Sequence, residues 1–290
     1  MQLRVFGCWA QLPRTEMRLK ILGLILLLTS SCQSYLTFPY NMIIATDNGF
    51  FIDNTQRFSK GHLNKGKEDG EWTFTFKSTI YSTGQWKDGL KIDKWKYDLG
   101  QKKTEINYKT YIDSLTNFKI SYPDFWAKPS NPPQSSLFMM GDSTQSKIDE
   151  NKFYVIMAHN KKLIGHDLDS FNEYYKERFK TNSYIKSDNW VIHSTDRKYY
   201  LNRFIINENG EEILLLNLNL EKDDLIYEIS YKTLNKDTKE DFMKFFETTL
   251  TASHNDFRLF NPFDKINSVD KVGDTATAPN TRFGQWRGDV

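Results

Sequence analysis

The sequence has 290 residues, of which 39% are hydrophobic and 15% aromatic, so it is long enough for one large or two small domains with real cores. The formal net charge is +2, but residues 1–31 hold a basic surplus, which leaves the rest of the chain close to neutral. A nucleic-acid binder needs a basic surface that neutralises phosphates, and this composition excludes that class of partner. Both cysteines, Cys8 and Cys32, lie near the start, so a disulfide framework is excluded for the remainder.

Residues 1–31 have the pattern of a secretory leader. A charged start precedes an apolar run at 21–28, and small residues follow it as far as Cys32. The apolar run is shorter than the ~20 residues that cross a bilayer as a helix. Because the pattern is complete from Met17, we expect the true start to be Met17.

The leader ends in Leu28, Thr29, Ser30, Ser31 and Cys32. This ending resembles the lipobox of bacterial lipoproteins, in which the cysteine becomes the first mature residue and carries acyl chains, although Leu28 lies one place upstream of the usual aliphatic position. The resemblance implies that Cys32 is acylated and that the membrane is a partner, since several acyl chains together anchor a protein firmly. The alternative is an ordinary secretory leader with an incidental cysteine.

Residues 33–60 are expected to form a tether, and an internal repeat follows at 61–100. Six positions recur after 23 residues: Gly61, Leu63, Gly66, Gly70, Trp72 and Phe74 become Gly84, Trp86, Gly89, Asp93, Trp95 and Tyr97. Glycine and aspartate suit tight turns, and alternating aromatic residues cover one face of a sheet. The pattern therefore predicts one β-hairpin in each unit.

The two units resemble the MORN repeat variant of bacterial proteins in the YwqK antitoxin-like family. The resemblance covers about 40 residues and includes Asp93 where the family has a second glycine. Four aromatic residues of the repeat have two interpretations: they form the buried side of a sheet, or they form an exposed face that recognises a glycan or a peptide. They are Trp72, Trp86, Trp95 and Tyr97.

Residues 115–253 have a longer pattern of strands and helices. Ser170 and Glu173 form a capping-box pair at one helix, Asn209-Gly210 joins two strands, and a last helix starts at Asp237. With the opening phrase at 117–126, this order resembles the PsbP-like superfamily, including bacterial DcrB-like lipoproteins. Members of that superfamily are mostly accessory or binding proteins, so the resemblance implies a non-catalytic role.

The fold class expected from these segments is α+β. A short antiparallel β-hairpin repeat region is followed by an antiparallel sheet flanked by two helices, as in PsbP-like proteins. Residues 254–290 have no sustained period and are expected to be irregular.

The sequence contains no motif that predicts catalysis, a metal or a cofactor. The five histidines are scattered, whereas a zinc site requires closely spaced ligands or a cysteine pair. Ser135 and Ser136 lie in a proline-rich loop without a nucleophile elbow, and no phosphate-binding glycine loop is present. We therefore expect no catalytic residue, no metal ligand and no cofactor.

The functional expectation is a bacterial envelope lipoprotein, exported and lipid-anchored, that acts as a non-catalytic binding or accessory protein for another envelope component. The alternative is an antitoxin or immunity protein of the YwqK-like type, suggested by residues 61–100. An envelope hydrolase is the least favoured class, because no nucleophile is visible.

Overall fold

The computed structural model describes residues 36–39, 42–46, 49–53, 57–76, 79–100, 102–130, 132–133, 136–142, 152–180, 184–234, 238–261 and 263–272. The described residues from Thr37 onward belong to one compact unit, and of residues 1–36 only Leu36 is described. Cys32 and the predicted leader lie outside the described residues.

The described residues form nineteen strands, and most of them pair with the strand that precedes or follows them in the chain. In chain order they are β1 (Leu36–Pro39), β2 (Met42–Thr46), β3 (Gly49–Asp53), β4 (Arg57–Asn64), β5 (Lys67–Phe76), β6 (Thr79–Lys87), β7 (Leu90–Asp98), β8 (Lys103–Asp113), β9 (Phe118–Pro123), β10 (Trp126–Ala127), β11 (Ser136–Asp142), β12 (Phe153–Asn160), β13 (Tyr184–Ser194), β14 (Lys198–Glu208), β15 (Glu211–Lys222), β16 (Leu225–Leu234), β17 (Ser253–His254), β18 (Phe257–Arg258) and β19 (Ile266–Lys271).

Three helices complete the described elements: α1 (Lys161–Ile164), α2 (Leu168–Lys180) and α3 (Thr238–Thr249). Helix α2 begins two residues before the predicted cap at Ser170. Asp167 is the reason, because its Oδ1 accepts from the backbone N–H of Ser170 at 2.8 Å while Ser170 Oγ accepts from the N–H of Asp167 at 3.0 Å.

The first large sheet contains both repeat hairpins. Its strand order is β1-β4-β5-β6-β7-β8-β9-β17-β18. Strand β8 continues the sheet directly from the second repeat, and β9 then pairs with the short strand β17 from the segment after α3. The sheet therefore joins residues from the predicted tether, the repeat, the predicted α+β region and the predicted tail.

The second large sheet has the order β10-β11-β12-β16-β15-β14-β13-β19, and a separate hairpin pairs β2 with β3. Asn209 and Gly210 turn the chain between β14 and β15 with φ of 55° and 86°, the left-handed geometry that the sequence predicted. Leu214, Leu215 and Leu216 are all buried, because both faces of β15 are covered.

The main core lies between the two large sheets. One cluster of buried apolar side chains contains Trp72 and Trp95 from the first sheet together with Leu214 and Leu216 from the second. Helix α3 adds Phe245 to this cluster. Leu215, which lies between Leu214 and Leu216 on β15, points to the opposite face of the sheet and belongs to a second cluster, which includes Tyr175 of α2. The two predicted modules thus share a single core.

The predicted α+β class is wrong, because the described chain is mostly antiparallel β structure in two large sheets with three short helices. Helix α3 does not flank an independent sheet. Its Phe245 packs against Tyr231 of the second sheet, with ring centroids 6.3 Å apart, and its Glu247 pairs with Lys91 of the first. The local pattern indicated both long helices and part of the strands, but strand pairing between distant segments decided the class.

The segments predicted as a tether and as an irregular tail both contain strands. The predicted tether 33–60 includes the start of β4, which pairs with β5, and the predicted tail includes β18 and β19. Among the described residues, no helix is long and apolar enough to span a bilayer.

Candidate functional site

The repeat turns adopt the conformations that their residue types suggest. Lys65 and Gly66 turn the chain from β4 to β5 with φ of 51° and 78°, and Asp88 and Gly89 do the same from β6 to β7 with φ of 52° and 79°. These are paired left-handed residues, which match the twist of a two-residue hairpin. Glycine at the second position avoids the steric cost of a side chain there.

The position four residues after the turn glycine of each unit, occupied by Gly70 and Asp93, also has a left-handed backbone conformation. Gly70 has φ of 79°, and Asp93, which replaces the glycine in the second unit, has φ of 56°. No heavy atom lies within 4 Å of a Cβ built on Gly70, so backbone conformation and not space favours glycine at this position. Aspartate tolerates the same conformation better than most residues, which explains the exchange.

The repeat tryptophans are buried and do not form a recognition surface. Trp72 and Trp95 are both 0% exposed, and their indole N–H groups donate to the backbone carbonyls of His62 and Gln85, each at 3.1 Å. A Cβ added at Gly84 would lie 2.3 Å from the Trp95 ring, so this glycine is required for space. The sequence pattern therefore encodes a packing unit of glycine against tryptophan.

Equivalent positions in the two units bury charges of opposite sign. Glu68 follows the first turn and Lys91 stands 23 residues later, and both are almost fully buried. Arg258 binds Glu68 through two hydrogen bonds of 2.8 Å, and Glu247 pairs with Lys91. Sequence analysis missed this feature, although two charged residues at the same repeat position were a visible signal.

The Lys91 ammonium lies among aromatic rings in the core. It donates to Tyr97 Oη at 3.2 Å and to Glu247, and the Trp95 ring centroid is 4.2 Å away. Tyr97 Oη and Tyr108 Oη are 2.9 Å apart. Burial lowers the pKa of Lys91, opposed by Glu247, and burial raises the pKa of Tyr97 and of Tyr108 well above the usual tyrosine value.

Trp86 connects this buried pair to the surface. The Arg258 guanidinium carbon is 5.8 Å from the Trp86 ring centroid, and Lys91 Nζ is 5.6 Å from it. Four charged side chains thus form a polar row of alternating sign, in the order Arg258, Glu68, Lys91 and Glu247. Their exposed fractions are 20%, 3%, 0% and 4%. The polar row begins at the surface and ends in the core.

A cleft of about 390 Å³ opens where this row reaches the surface. Both hairpin turns line it, as does the segment that follows α3. Its lining residues are Leu63, Lys65, Gly66, Lys67, Glu68, Asp88, Gly89, Leu90, Lys119, Thr251, Ser253, Asp256, Arg258, Asn261 and Phe263. The predicted repeat residues Gly66 and Gly89 therefore belong to the candidate site, whereas Trp72, Trp95, Gly70 and Asp93 are absent from its lining.

A second buried polar cluster lies under helix α2. Asn202 and Asn217 face each other across β14 and β15, and Asn202 Nδ2 donates to Asn172 of the helix at 2.8 Å and to Asn217 at 2.9 Å. Asn217 Nδ2 donates to Ser230 Oγ at 3.1 Å. The row is covered by α2 and its members bond to one another, so it is less accessible to a ligand than the cleft.

The histidines do not converge on one place. His159 contacts Glu228 at 3.1 Å, His193 lies 3.6 Å from Asp270, and His254 bonds to the Tyr227 hydroxyl at 2.7 Å. In the described part of the chain, no group of three or more His, Cys, Asp or Glu residues can hold a metal ion. The predicted loop residue Ser135 lies outside the described residues.

No protein-family model matches the sequence, and no curated protein matches it. Among solved structures, the chain is similar to a protein from Bacteroides thetaiotaomicron, with 12% identity and a TM-score of 0.34 over 51% of this chain and 48% of that one. The chain therefore spans about half the length of that structure.

Two further structures are covered more completely. The cyanobacterial PsbP protein CyanoP from Synechocystis matches at 8% identity and a TM-score of 0.36, over 51% of this chain and 92% of CyanoP. A protein of unknown function from Pseudomonas aeruginosa matches at 14% identity and a TM-score of 0.29, over 53% and 92%. All three TM-scores lie below 0.5, so the PsbP-like resemblance of 115–253 stays a prediction.

Proposed function

We propose that this protein is a non-catalytic binding or accessory lipoprotein of a bacterial envelope, anchored through acylated Cys32, and that its binding site is the cleft at the repeat turns. The observation that carries the proposal is the cleft itself, because two separate segments meet there and a buried ion pair fixes its floor. Mixed charges beside apolar walls suit recognition of a partner or ligand.

The architecture supports binding over catalysis. The charged groups nearest the cleft are engaged with each other: Arg258 binds Glu68, and Lys67 lies 3.1 Å from Asp256. A general base or nucleophile needs a partner that raises its reactivity, whereas Glu68 and Asp256 are each paired with a cation. The MORN-like repeat then serves as the scaffold that presents the turns.

Site-specific photo-crosslinking tests the cleft. A photoreactive amino acid at the exposed Lys65 position is compared with one at the exposed Lys103 position, near the turn from β7 to β8 at the opposite end of the repeat strands. We expect a defined adduct in native membranes from position 65 and none from position 103. Equal labelling from both, or none from position 65, contradicts a binding site in this cleft.

The anchor is tested separately through Cys32→Ala. We expect this variant to leave the membrane fraction, from which the parent is released only by detergent, and to incorporate no labelled fatty acid. The reason is that the lipid is attached through the Cys32 sulfur. Unchanged membrane partition of the variant contradicts the lipid anchor without bearing on the cleft.

A further inference from the structure

We infer that the cleft binds its ligand through an anionic group, a phosphate or a carboxylate, and that Asp256 occupies the place of that group in the ligand-free chain. This inference rests on the proposed function, because it names the ligand class of the same cleft. It assigns Asp256 the role of an internal competitor.

Asp256 is presented to two lysines by a tight turn. Asn255 and Asp256 have φ of 51° and 60°, the paired left-handed geometry that joins β17 to β18. One carboxylate oxygen of Asp256 lies 3.1 Å from Lys67 Nζ and 3.9 Å from Lys119 Nζ. The two lysines belong to the strands β5 and β9 of the first sheet, so the Asp256 carboxylate bridges two strands beside the cleft.

The contacts of Asp256 are of the kind that an external anion can replace. Its side chain is 77% exposed, and those of Lys67 and Lys119 are 46% and 37% exposed. Exposed ion pairs contribute little to stability, because water and salt screen them and the side chains lose freedom. A ligand anion that contacts both lysines can therefore take the place of the Asp256 carboxylate.

Arg258 supplies a fixed donor beside this place. Two of its N–H groups bind Glu68, and its guanidinium lies over Trp86, so the side chain is held before a ligand arrives. A guanidinium has five N–H donors, and those not directed at Glu68 remain for a ligand oxygen. Preorganised donors reduce the entropy that is lost on binding.

The charge around the cleft favours an anion once Asp256 has moved aside. The lining then offers Lys65, Lys67 and Lys119 against Asp88, while Arg258 and Glu68 neutralise each other. Apolar side chains complete the wall, so the ligand carries an apolar part next to its anionic group. The apolar residues of the lining are Leu63, Leu90 and Phe263. A lipid headgroup and a free phosphorylated or carboxylated molecule share this chemistry.

The test is a titration of the full protein with inorganic phosphate, followed by chemical shifts of the backbone amides. Asp256→Asn removes the competing charge but keeps a residue that tolerates the left-handed turn. We expect it to bind phosphate about two- to five-fold more tightly than the parent, the range expected for loss of an exposed ion pair. Lys67→Gln should bind more weakly, and both effects should shrink at high salt.

Asp270→Asn is the matched control, because Asp270 is a similarly exposed carboxylate on β19, outside the cleft lining. It should leave phosphate affinity unchanged, and thermal unfolding should show that every variant is folded. An Asp256→Asn variant that binds phosphate no more tightly than the control overturns the inference, as does a Lys67→Gln variant with parental affinity.

Vesicles distinguish the source of the anion. Tighter binding of Asp256→Asn to phosphatidylglycerol vesicles than to phosphatidylcholine vesicles, together with the phosphate result, supports a lipid headgroup. The phosphate result without a vesicle preference supports a free anion. A crosslinked adduct from position 65, combined with no binding of phosphate or of phosphatidylglycerol vesicles, overturns this inference and leaves the proposed binding function intact.

Discussion

The buried pair of Lys91 and Glu247 gives the sharpest prediction about stability. Their side chains are 0% and 4% exposed, so Glu247→Gln leaves a buried ammonium without its counter-ion. We expect the free energy of unfolding at pH 7 to fall by about 3–5 kcal/mol, a large part of the ~5–15 kcal/mol typical of a folded domain. The double variant Lys91→Met, Glu247→Leu should recover most of this loss, since neither position then buries a charge.

Urea denaturation followed by tryptophan fluorescence measures these differences, with an exposed pair as control. The atoms of Lys94 and Glu105 that pair lie 2.9 Å apart, and the two side chains are 55% and 52% exposed, so Glu105→Gln should leave the urea midpoint essentially unchanged. A loss below about 1 kcal/mol for Glu247→Gln would refute the reasoning. So would a double variant as unstable as the single one.

The pH dependence of the Glu247→Gln variant has a definite sign. Burial lowers the folded-state pKa of Lys91 from the usual value of about 10.4, and losing the Glu247 charge lowers this pKa further. Between the lowered pKa and the unfolded value, the unfolded chain binds more protons, so stability rises with pH. The stability difference from the parent should therefore shrink between pH 7 and pH 10.

Three further predictions address the repeat, the shared core and high pH. Gly84→Ala should destabilise the protein by about 1–3 kcal/mol in urea denaturation, because its new methyl group collides with Trp95, and a neutral result would show that the ring moves aside freely. The fragment 115–253 should show no cooperative thermal transition, since it lacks the repeat half of the common core; a cooperative transition would establish an independent domain. Burial raises the pKa of Tyr199 and of Tyr227 to about 12, so these hydroxyls lose their protons in the unfolded chain at a lower pH than in the folded one. The free energy of unfolding should therefore fall as pH rises from about 10 to about 12. A free energy of unfolding that stays constant over that range would contradict their burial.

The hairpin turns and the helices could be predicted because their causes are local. Gly66 and Gly89 lie where the backbone needs positive φ, and Asn209 with Gly210 meets the same need between β14 and β15. The 23-residue period reports a repeated packing unit, in which each tryptophan lies against a glycine of the neighbouring strand. Such signals depend only on residues near one another in the chain.

The glycine turns of the candidate site could be predicted, but its charged pairs could not, because the partners come together only in the folded chain. Glu68 and Arg258 are 190 residues apart, and Lys91 and Glu247 are 156 residues apart. A charged residue in a strand normally indicates a solvated face, and only a distant partner of opposite charge makes its burial tolerable. Local sequence thus determined where the chain turns, whereas the tertiary structure decided which strands pair, where the core lies and which charges meet, since these depend on long-range contacts that no local pattern records.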